Sequence, residues 1–271
     1  MRPTCAAVSL ALLFCGAAPL MAAAPRYTAS SIVNAASGVS SILAPNGLAT
    51  IHGTDLSGLT QALSASDLRG DQLPYTLHGT GVGVVVSGLR AHVVYVSPSQ
   101  VNFLVPALLQ PGPATVVLTR LGVSGDAVKV LIAGCSPGLF LLKPGLAVAT
   151  RADGSVLTEA APAHPGEVVV LYATGLGQTA PPLGHGERAR TAAWLARRAE
   201  FAVVLDGRTL TAEVLYAGVT PGFGGLYQVN LRLPERTGPN PEILLLCGDT
   251  ASPAGVRLPV GTLPGPDAST Q

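Results

Sequence analysis

Charge is scarce in this chain. Only 11% of its 271 residues are Asp, Glu, Lys or Arg, and the formal net charge at pH 7 is +1. Lysine occurs only at Lys129 and Lys143. No basic face emerges, which argues against nucleic acid and anionic membrane surfaces as partners. Familiar catalytic and cofactor signatures are also missing. The five histidines, His52, His78, His92, His164 and His185, show no metal-ligand spacing, and there is no C-x-x-C pair. There is no P-loop, no dinucleotide fingerprint and no calcium loop, and Gly79 to Gly83 reads as a loop entering a strand. No cofactor or metal is therefore expected. Helical composition is confined to residues 187–199, which lack good caps and leave room for one or two helical turns inside a loop.

Hydrophobic residues make up 48% of the chain, with 32 Gly and 23 Pro. Few charges and frequent turn formers suit sandwiches or barrels rather than helical bundles. The dominant feature is an internal repeat. Residues 45–56 match 165–176 at an offset of 120, and residues ending at Gly88 match those ending at Gly207 at 119. Gln100, Asn102, Pro106 and Pro113 match Gln228, Asn230, Pro234 and Pro241, all at 128. The offset jumps by seven between Tyr216 and Gln228, which marks a loop insertion in the second copy. A period this long implies two tandem domains rather than a solenoid, whose units are far shorter.

Residues 1–23 read as a signal peptide. Arg2 supplies the basic start, residues 6–20 the apolar core, and Met21 to Ala24 the small residues for cleavage near Ala23. The apolar run is short for a membrane span, so the mature chain is expected to have none. Phe14 before Cys15 is too bulky for a lipoprotein cleavage site. Two cysteines, Cys135 and Cys247, follow the leader. Export permits a disulfide between them, and two buried free thiols are the alternative.

Short alternating segments predict strands at 31–34, 48–52, 82–86, 90–96, 100–105, 114–119 and 126–132. That is roughly the strand count of an immunoglobulin-like sandwich. Ser87-Gly88, Asp153-Gly154 and Asp206-Gly207 are turn signals, because Asp, Ser and Gly accept the left-handed angles of tight hairpins. Residues 56–81 read as a long polar connection. Val101 and Val229, each between polar neighbours, should face a core. The prediction is an all-β chain of two tandem sandwiches, 24–134 and 135–262, each with its own core and folding semi-independently. A disordered tail is expected at 263–271.

Several strings resemble one family closely: V-N-A-A-S (33–37), Y-V-S-P-S-Q-V-N-F-L-V-P (95–106), S-P-G-L-F (136–140), D-G-S-V-L (153–157), H-P-G-E-V-V-V-L-Y-A-T-G-L-G (164–177) and L-Y-A-G-V-T-P-G-F-G-G-L-Y-Q-V-N-L-R-L-P (215–234). They are similar to an uncharacterised C-terminal domain family of secreted acidobacterial proteins, first described from Solibacter. The resemblance spans nearly all of the mature chain. It implies two IPT/TIG-like, immunoglobulin-like halves and an extracellular location. It implies no chemistry, since that family has no established activity.

Candidate site residues are few. Residues 134–138 satisfy G-x-S-x-G around Ser136, but Pro137 and Pro144 prevent the long helix that a nucleophile elbow needs. An interdomain turn is the favoured reading, and a serine hydrolase using Ser136 the third choice. Gln100 with Asn102, and Gln228 with Asn230, lie two apart on one strand face and are expected to bind neighbouring loop backbone. His52 and His92 read as ordinary strand-face residues. Trp194, Phe223 and Tyr227 lie in or beside the longest loops of the second copy, where rings can stack on sugars or grip a protein. The sequence therefore points to a secreted, non-enzymatic module for adhesion, assembly or protein interaction. A carbohydrate-binding module is the alternative. The partner is an extracellular protein or a glycan.

Overall fold

The computed structural model describes residues 23–262. The expected leader and tail lie outside the described residues, apart from Ala23 at the leader's end. The chain is all-β, built as two immunoglobulin-like sandwiches in tandem.

The first sandwich contains β1 (Ile32–Asn34), β2 (Ile42–Leu43), β3 (Leu48–His52), β4 (Gln61–Ala62), β5 (Val82–Val86), β6 (Leu89–Val96), β7 (Gln100–Leu104), β8 (Gly112–Arg120), β9 (Val123–Ser124) and β10 (Val128–Ile132). One sheet runs β1-β3-β7-β6 and the other β6-β5-β8-β10-β2. The long strand β6 belongs to both. Its start pairs with β5 through Val84↔Ala91, and its end pairs with β7 through Val96↔Val101. Alternation explains the packing: Val82, Val84 and Val86 point inward while their neighbours are half-exposed. Val101 and Phe103 on β7 do the same and are fully buried. Ser87 and Gly88 both take positive φ, 46° and 82°, which is the conformation of a tight two-residue hairpin.

The second sandwich contains β11 (Gly138–Leu139), β12 (Leu141–Lys143), β13 (Leu146–Ala147), β14 (Ala149–Thr150), β15 (Val168–Thr174), β16 (Thr179–Ala180), β17 (Trp194–Leu195), β18 (Phe201–Leu205), β19 (Arg208–Leu210), β20 (Val214–Val219), β21 (Tyr227–Arg232), β22 (Ile243–Cys247) and β23 (Thr250–Ala251). The sequence repeat is a structural repeat. β3 corresponds to β15, β5 to β18 and β7 to β21. The single strand β6 becomes two, β19 in one sheet and β20 in the other. Both copies carry a register shift at the same place, between Val93 and Tyr95 and between Val214 and Tyr216. Both also close with a parallel contact, Leu43 beside Ile132 and Ala163 beside Val260. Each half has its own apolar core, one including Ile51, Val101 and Phe103, the other Leu171, Val229 and Leu245. Val101 and Val229 are fully buried, as their alternation predicts.

The two sandwiches meet across a buried joint. Buried Asn34 donates from Nδ2 to the Ser136 carbonyl at 2.8 Å, while its Oδ1 accepts from the Ala36 and Ser37 amides. Leu48 N donates to Thr174 Oγ1 at 2.8 Å, and that hydroxyl donates onward to the Gly225 carbonyl at 2.7 Å. Tyr227 is fully buried; its hydroxyl donates to the Gly177 carbonyl and accepts from Asn46 Nδ2. Gly175, at φ 76°, has no room for a side chain, since a Cβ there would strike the Ser136 carbonyl. Four of the strings that carry the family resemblance thus converge here. Residues 33–37, 136–140, 164–177 and 215–234 all contribute to one joint. Cys135 and Cys247 are joined as a disulfide, with Cα atoms 6.3 Å apart, tying the start of the second half to the end of β22.

Residues 187–199 hold no α-helical turn. They form a loop that leads into the short strand β17, and the single helical turn is a 3-10 turn at Arg198–Glu200 that overlaps the end of the stretch. The reason is that this loop's backbone is engaged by the first sandwich and by β20 rather than by itself. Arg188 N donates to the Asp71 carbonyl, and Trp194 pairs with Gly218.

Candidate functional site

An open cavity lies in the first sandwich, on the connection at 56–81. This segment is more than a polar linker. It contributes β4 to the edge of β6, a 3-10 turn at Ala65–Asp67, and one wall of an open groove of about 1000 Å³. Gln61, Ser66, Asp67, Arg69, Gln72, Tyr75, Thr76, His78 and Arg90 supply its polar lining. The apolar residues beneath it, Leu73 and Leu77, are buried, and the accessible surface mixes apolar area with these polar groups.

Local chemistry holds this wall in place. Ser64 and Asp67 form a reciprocal cap around the 3-10 turn. Asp67 accepts from the Ser64 hydroxyl at 2.6 Å and the Ser64 amide at 2.9 Å, and more weakly from the His78 amide at 3.4 Å. These bonds, the Ser64 hydroxyl first, hold its carboxyl below the usual range. The Tyr75 ring stacks on His92 with centroids 4.2 Å apart, and the Arg90 guanidinium sits 4.3 Å from the Tyr75 centroid. His92 is no ordinary face residue. It is buried, its Nδ1 donates to the Leu73 carbonyl at 2.7 Å, and its Nε2 has no partner. Burial is the main cause that lowers its pKa to about 4.

The second sandwich buttresses the groove from behind. Leu73 N donates to the Gly186 carbonyl at 3.0 Å, and Gln72 bridges to Glu187. Asp71 accepts from Arg188 at 3.4 Å and from Arg190 at 2.7 Å. His185 donates from Nε2 to the Arg90 carbonyl at 3.0 Å, and its ring meets His92 edge-on at 4.8 Å. Gly186, at φ 70°, lies against His92 so closely that a Cβ would overlap the imidazole.

The residues singled out from sequence fall in different places. Tyr227 does not present its ring to a ligand; its position between two strand partners and the joint buries it completely. Trp194 is half-covered, with Tyr216 edge-on at 5.0 Å and Arg198 over the ring at 5.5 Å. Phe223 is 54% exposed at the tip of the insertion. Its loop is held by Gly222 N to the Ala189 carbonyl and Ala189 N to the Phe223 carbonyl. Gly224 and Gly225 pack against Leu73, Leu104 and Leu48 of the first sandwich. The insertion therefore serves the joint, with its tip at Pro221, Gly222 and the Phe223 ring left outward. Gln100 and Gln228 do not bond loop backbone. Each donates to the Asn two residues on, at 2.8 and 3.1 Å, and Asn102 also accepts from Thr50. Ser136 is buried in the joint; its hydroxyl donates to the Ile42 carbonyl at 3.3 Å and its amide to the Gly175 carbonyl. No histidine is hydrogen-bonded to it among the described residues.

Sequence reasoning missed the groove. The available signal was length, since a connector running from 56 to 81 far exceeds an ordinary one and such loops are usually functional. Among the described residues no helix is long and apolar enough to cross a membrane, and no three metal-binding side chains cluster.

No protein family model matches the chain, and no curated protein matches it. Solved structures that resemble it include the Bacteroides ovatus mixed-linkage glucan utilization locus protein SGBP-B in complex with a mixed-linkage heptasaccharide. That likeness is 10% identical with a TM-score of 0.32, over 81% of this chain and 42% of that one. The surface glycan-binding protein PbSGBP-B from Prevotella bryantii is 12% identical with a TM-score of 0.28, over 88% and 43%. Domains 5–6 of the S-layer protein SbsC are 12% identical with a TM-score of 0.25, over 87% and 98%. The chain spans less than half the length of the first two.

Proposed function

We propose that this chain is an exported, non-enzymatic binding module for adhesion or assembly outside the cell, and that it holds its partner in the groove of the first sandwich. In this reading the two halves are IPT/TIG-like and belong with the secreted acidobacterial family that the motifs resemble, divided near Gly134. One observation carries the reading: the groove gathers several polar side chains whose hydrogen-bonding groups are free. No side-chain hydrogen bond engages Gln61, Arg69, Gln72 or Arg90 among the described residues, and neither arginine has an ion-pair partner there. A folded surface normally spends such groups on water or neighbours; convergence around one cavity is the mark of a binding site. The hydrolase alternative loses support because Ser136 is covered and its hydroxyl is committed to Ile42.

The test uses the exported chain on arrays of extracellular polysaccharides and matrix proteins, with Thr76→Trp as the blocking variant. Thr76 is exposed and lines the groove, so an indole there fills space without touching a core. Loss of binding with an unchanged melt supports the reading. Binding that survives Thr76→Trp, or labelling of Ser136 by a fluorophosphonate, overturns it.

A further inference from the structure

We infer that the ligand of this groove is an acidic oligosaccharide, a chain of hydroxyl-rich rings bearing carboxylate or sulfate groups. The inference rests on the groove being the binding site and adds the ligand's chemical class.

Charge gives the first argument. The groove is lined by three groups of fixed charge, Asp67, Arg69 and Arg90. Asp67 turns its oxygens toward Ser64 and the His78 amide, so its acceptors are taken by the wall, and the two guanidiniums leave the lining with a net positive charge. Arg69 and Arg90 have no carboxylate partner among the described residues, although every other ion pair near this face is made: Arg188 and Arg190 both go to Asp71. An unpaired guanidinium offers a fork of donors that matches a carboxylate or sulfate. Two of them in one groove call for an anion.

The aromatic group gives the second. Neutral sugars are commonly held by stacking a ring on an exposed aromatic face. Tyr75 is the aromatic residue in the groove lining, and its face is already occupied by His92 and Arg90. Recognition here must therefore come from hydrogen bonds and charge rather than from stacking.

The remaining lining separates a glycan from an acidic peptide. A peptide gains affinity by pairing with a sheet edge or by filling apolar pockets with its side chains. In this groove Leu73 and Leu77 are buried, and the polar groups on offer are the amides of Gln61 and Gln72 and the hydroxyls of Ser66 and Thr76. Amides and hydroxyls both donate and accept, which suits vicinal hydroxyls. The volume, about 1000 Å³, is at the upper end for small-ligand sites and accommodates a short oligosaccharide.

The experiment is affinity electrophoresis of the whole exported chain in gels containing polygalacturonate, chondroitin sulfate, dextran or poly-glutamate. The expected result is retardation by an acidic polysaccharide, little by dextran or poly-glutamate, and weakening when salt rises from about 0.05 to about 0.5 M. Arg69→Gln should weaken binding about tenfold, the size expected for one charged hydrogen bond. Its melting curve should stay unchanged, because Arg69 is exposed and its structural bonds, to Gln72, are made by its backbone. Arg69→Lys should restore part of it. Retardation by dextran equal to that by the acidic polymers overturns the inference, as does preference for poly-glutamate or no retardation by any polymer. The Thr76→Trp variant separates the two claims. If it abolishes binding to a neutral polymer, the groove stands and the acidic class falls. If acidic binding persists in it, the groove itself is wrong.

Discussion

Asn34 offers the sharpest test of how the two sandwiches are joined. The side chain works in two directions. Its Oδ1 accepts from Ala36 and Ser37, holding a local turn, and its Nδ2 donates across the joint to the Ser136 carbonyl at 2.8 Å. The residue is 3% exposed, so neither function is shared with bulk water. Asn34→Ala removes all three bonds. At about 1 kcal/mol each, with a further penalty for the stranded buried carbonyl, the expected loss is about 3–4 kcal/mol. Asn34→Asp keeps the acceptor that the turn needs but replaces the donor by an oxygen facing the Ser136 carbonyl. At neutral pH the carboxylate should cost as much as the alanine, about 3 kcal/mol or more. Protonation would restore a donor. The introduced acid therefore has a folded pKa raised above its unfolded value of about 3.9. Its stabilising contribution is present below that unfolded value and is lost as pH rises through the folded one. Denaturation midpoints from pH 4 to 8, read by tryptophan fluorescence and circular dichroism together, give the answer. Asn34→Asp should approach wild type at low pH, Asn34→Ala should not, and both should separate the signals of the two halves. Wild-type midpoints in Asn34→Asp at pH 7 would refute the proposed joint.

Other expectations follow from the same geometry. His92 is buried neutral with its pKa lowered to about 4, so its contribution is complete above the unfolded value near 6.5 and fades as pH falls toward 4. Titrating the denaturation midpoint should show that loss, at most about 3 kcal/mol, and His92→Gln should flatten it. Val229→Asp places an unpaired carboxylate in the second core and should cost several kcal/mol, unfolding the chain or melting it far below wild type by circular dichroism. Reducing the Cys135–Cys247 bridge, which spans 112 residues, should lower stability by up to about 4.7 kcal/mol in urea titrations with and without reductant. Phe223→Ala removes an outward ring, so its melting temperature should stay within a degree or two of wild type, about 0.5 kcal/mol.

Strand placement was legible because it depends on a local pattern. Val82, Val84 and Val86 alternate with half-exposed neighbours, and Phe201, Val203 and Leu205 are the buried set of the matching strand, where Ala202 is buried as well. Ser87-Gly88 and Asp206-Gly207 marked hairpins for an equally local reason, since both residues of each pair take positive φ. The joint was not legible, because its bonds connect residues more than a hundred positions apart. Asn34 meets Ser136, Asn46 meets Tyr227, and nothing in either neighbourhood announces the other. Tyr227 illustrates the cost. At the end of a Gly-rich loop it reads as a surface ring, yet its register opposite Ala173 and Val219 places it between two strands. His92 was misread for a similar reason: alternation gives a face, but only the packed 56–81 segment and Gly186 turn that face into an interior.

The insertion that distinguishes the second copy has its physical reason in the first. Lengthening a surface loop costs little entropy, whereas lengthening a core strand breaks register. The added residues around Gly224 and Gly225 reach Leu48, Leu73 and Leu104, while residues 185–190 grip Asp71, Leu73 and Arg90. Leu73 is thus held by the second sandwich on one side and lines the groove on the other. Arg90 is held the same way, its carbonyl bonded to His185 and its guanidinium set on Tyr75. The groove belongs to the first sandwich by sequence, but its geometry is set by both. A perturbation that loosens the joint, such as Asn34→Ala, should therefore weaken groove binding by more than its distance from the groove suggests. The first sandwich alone would retain the lining residues without the support that aligns them.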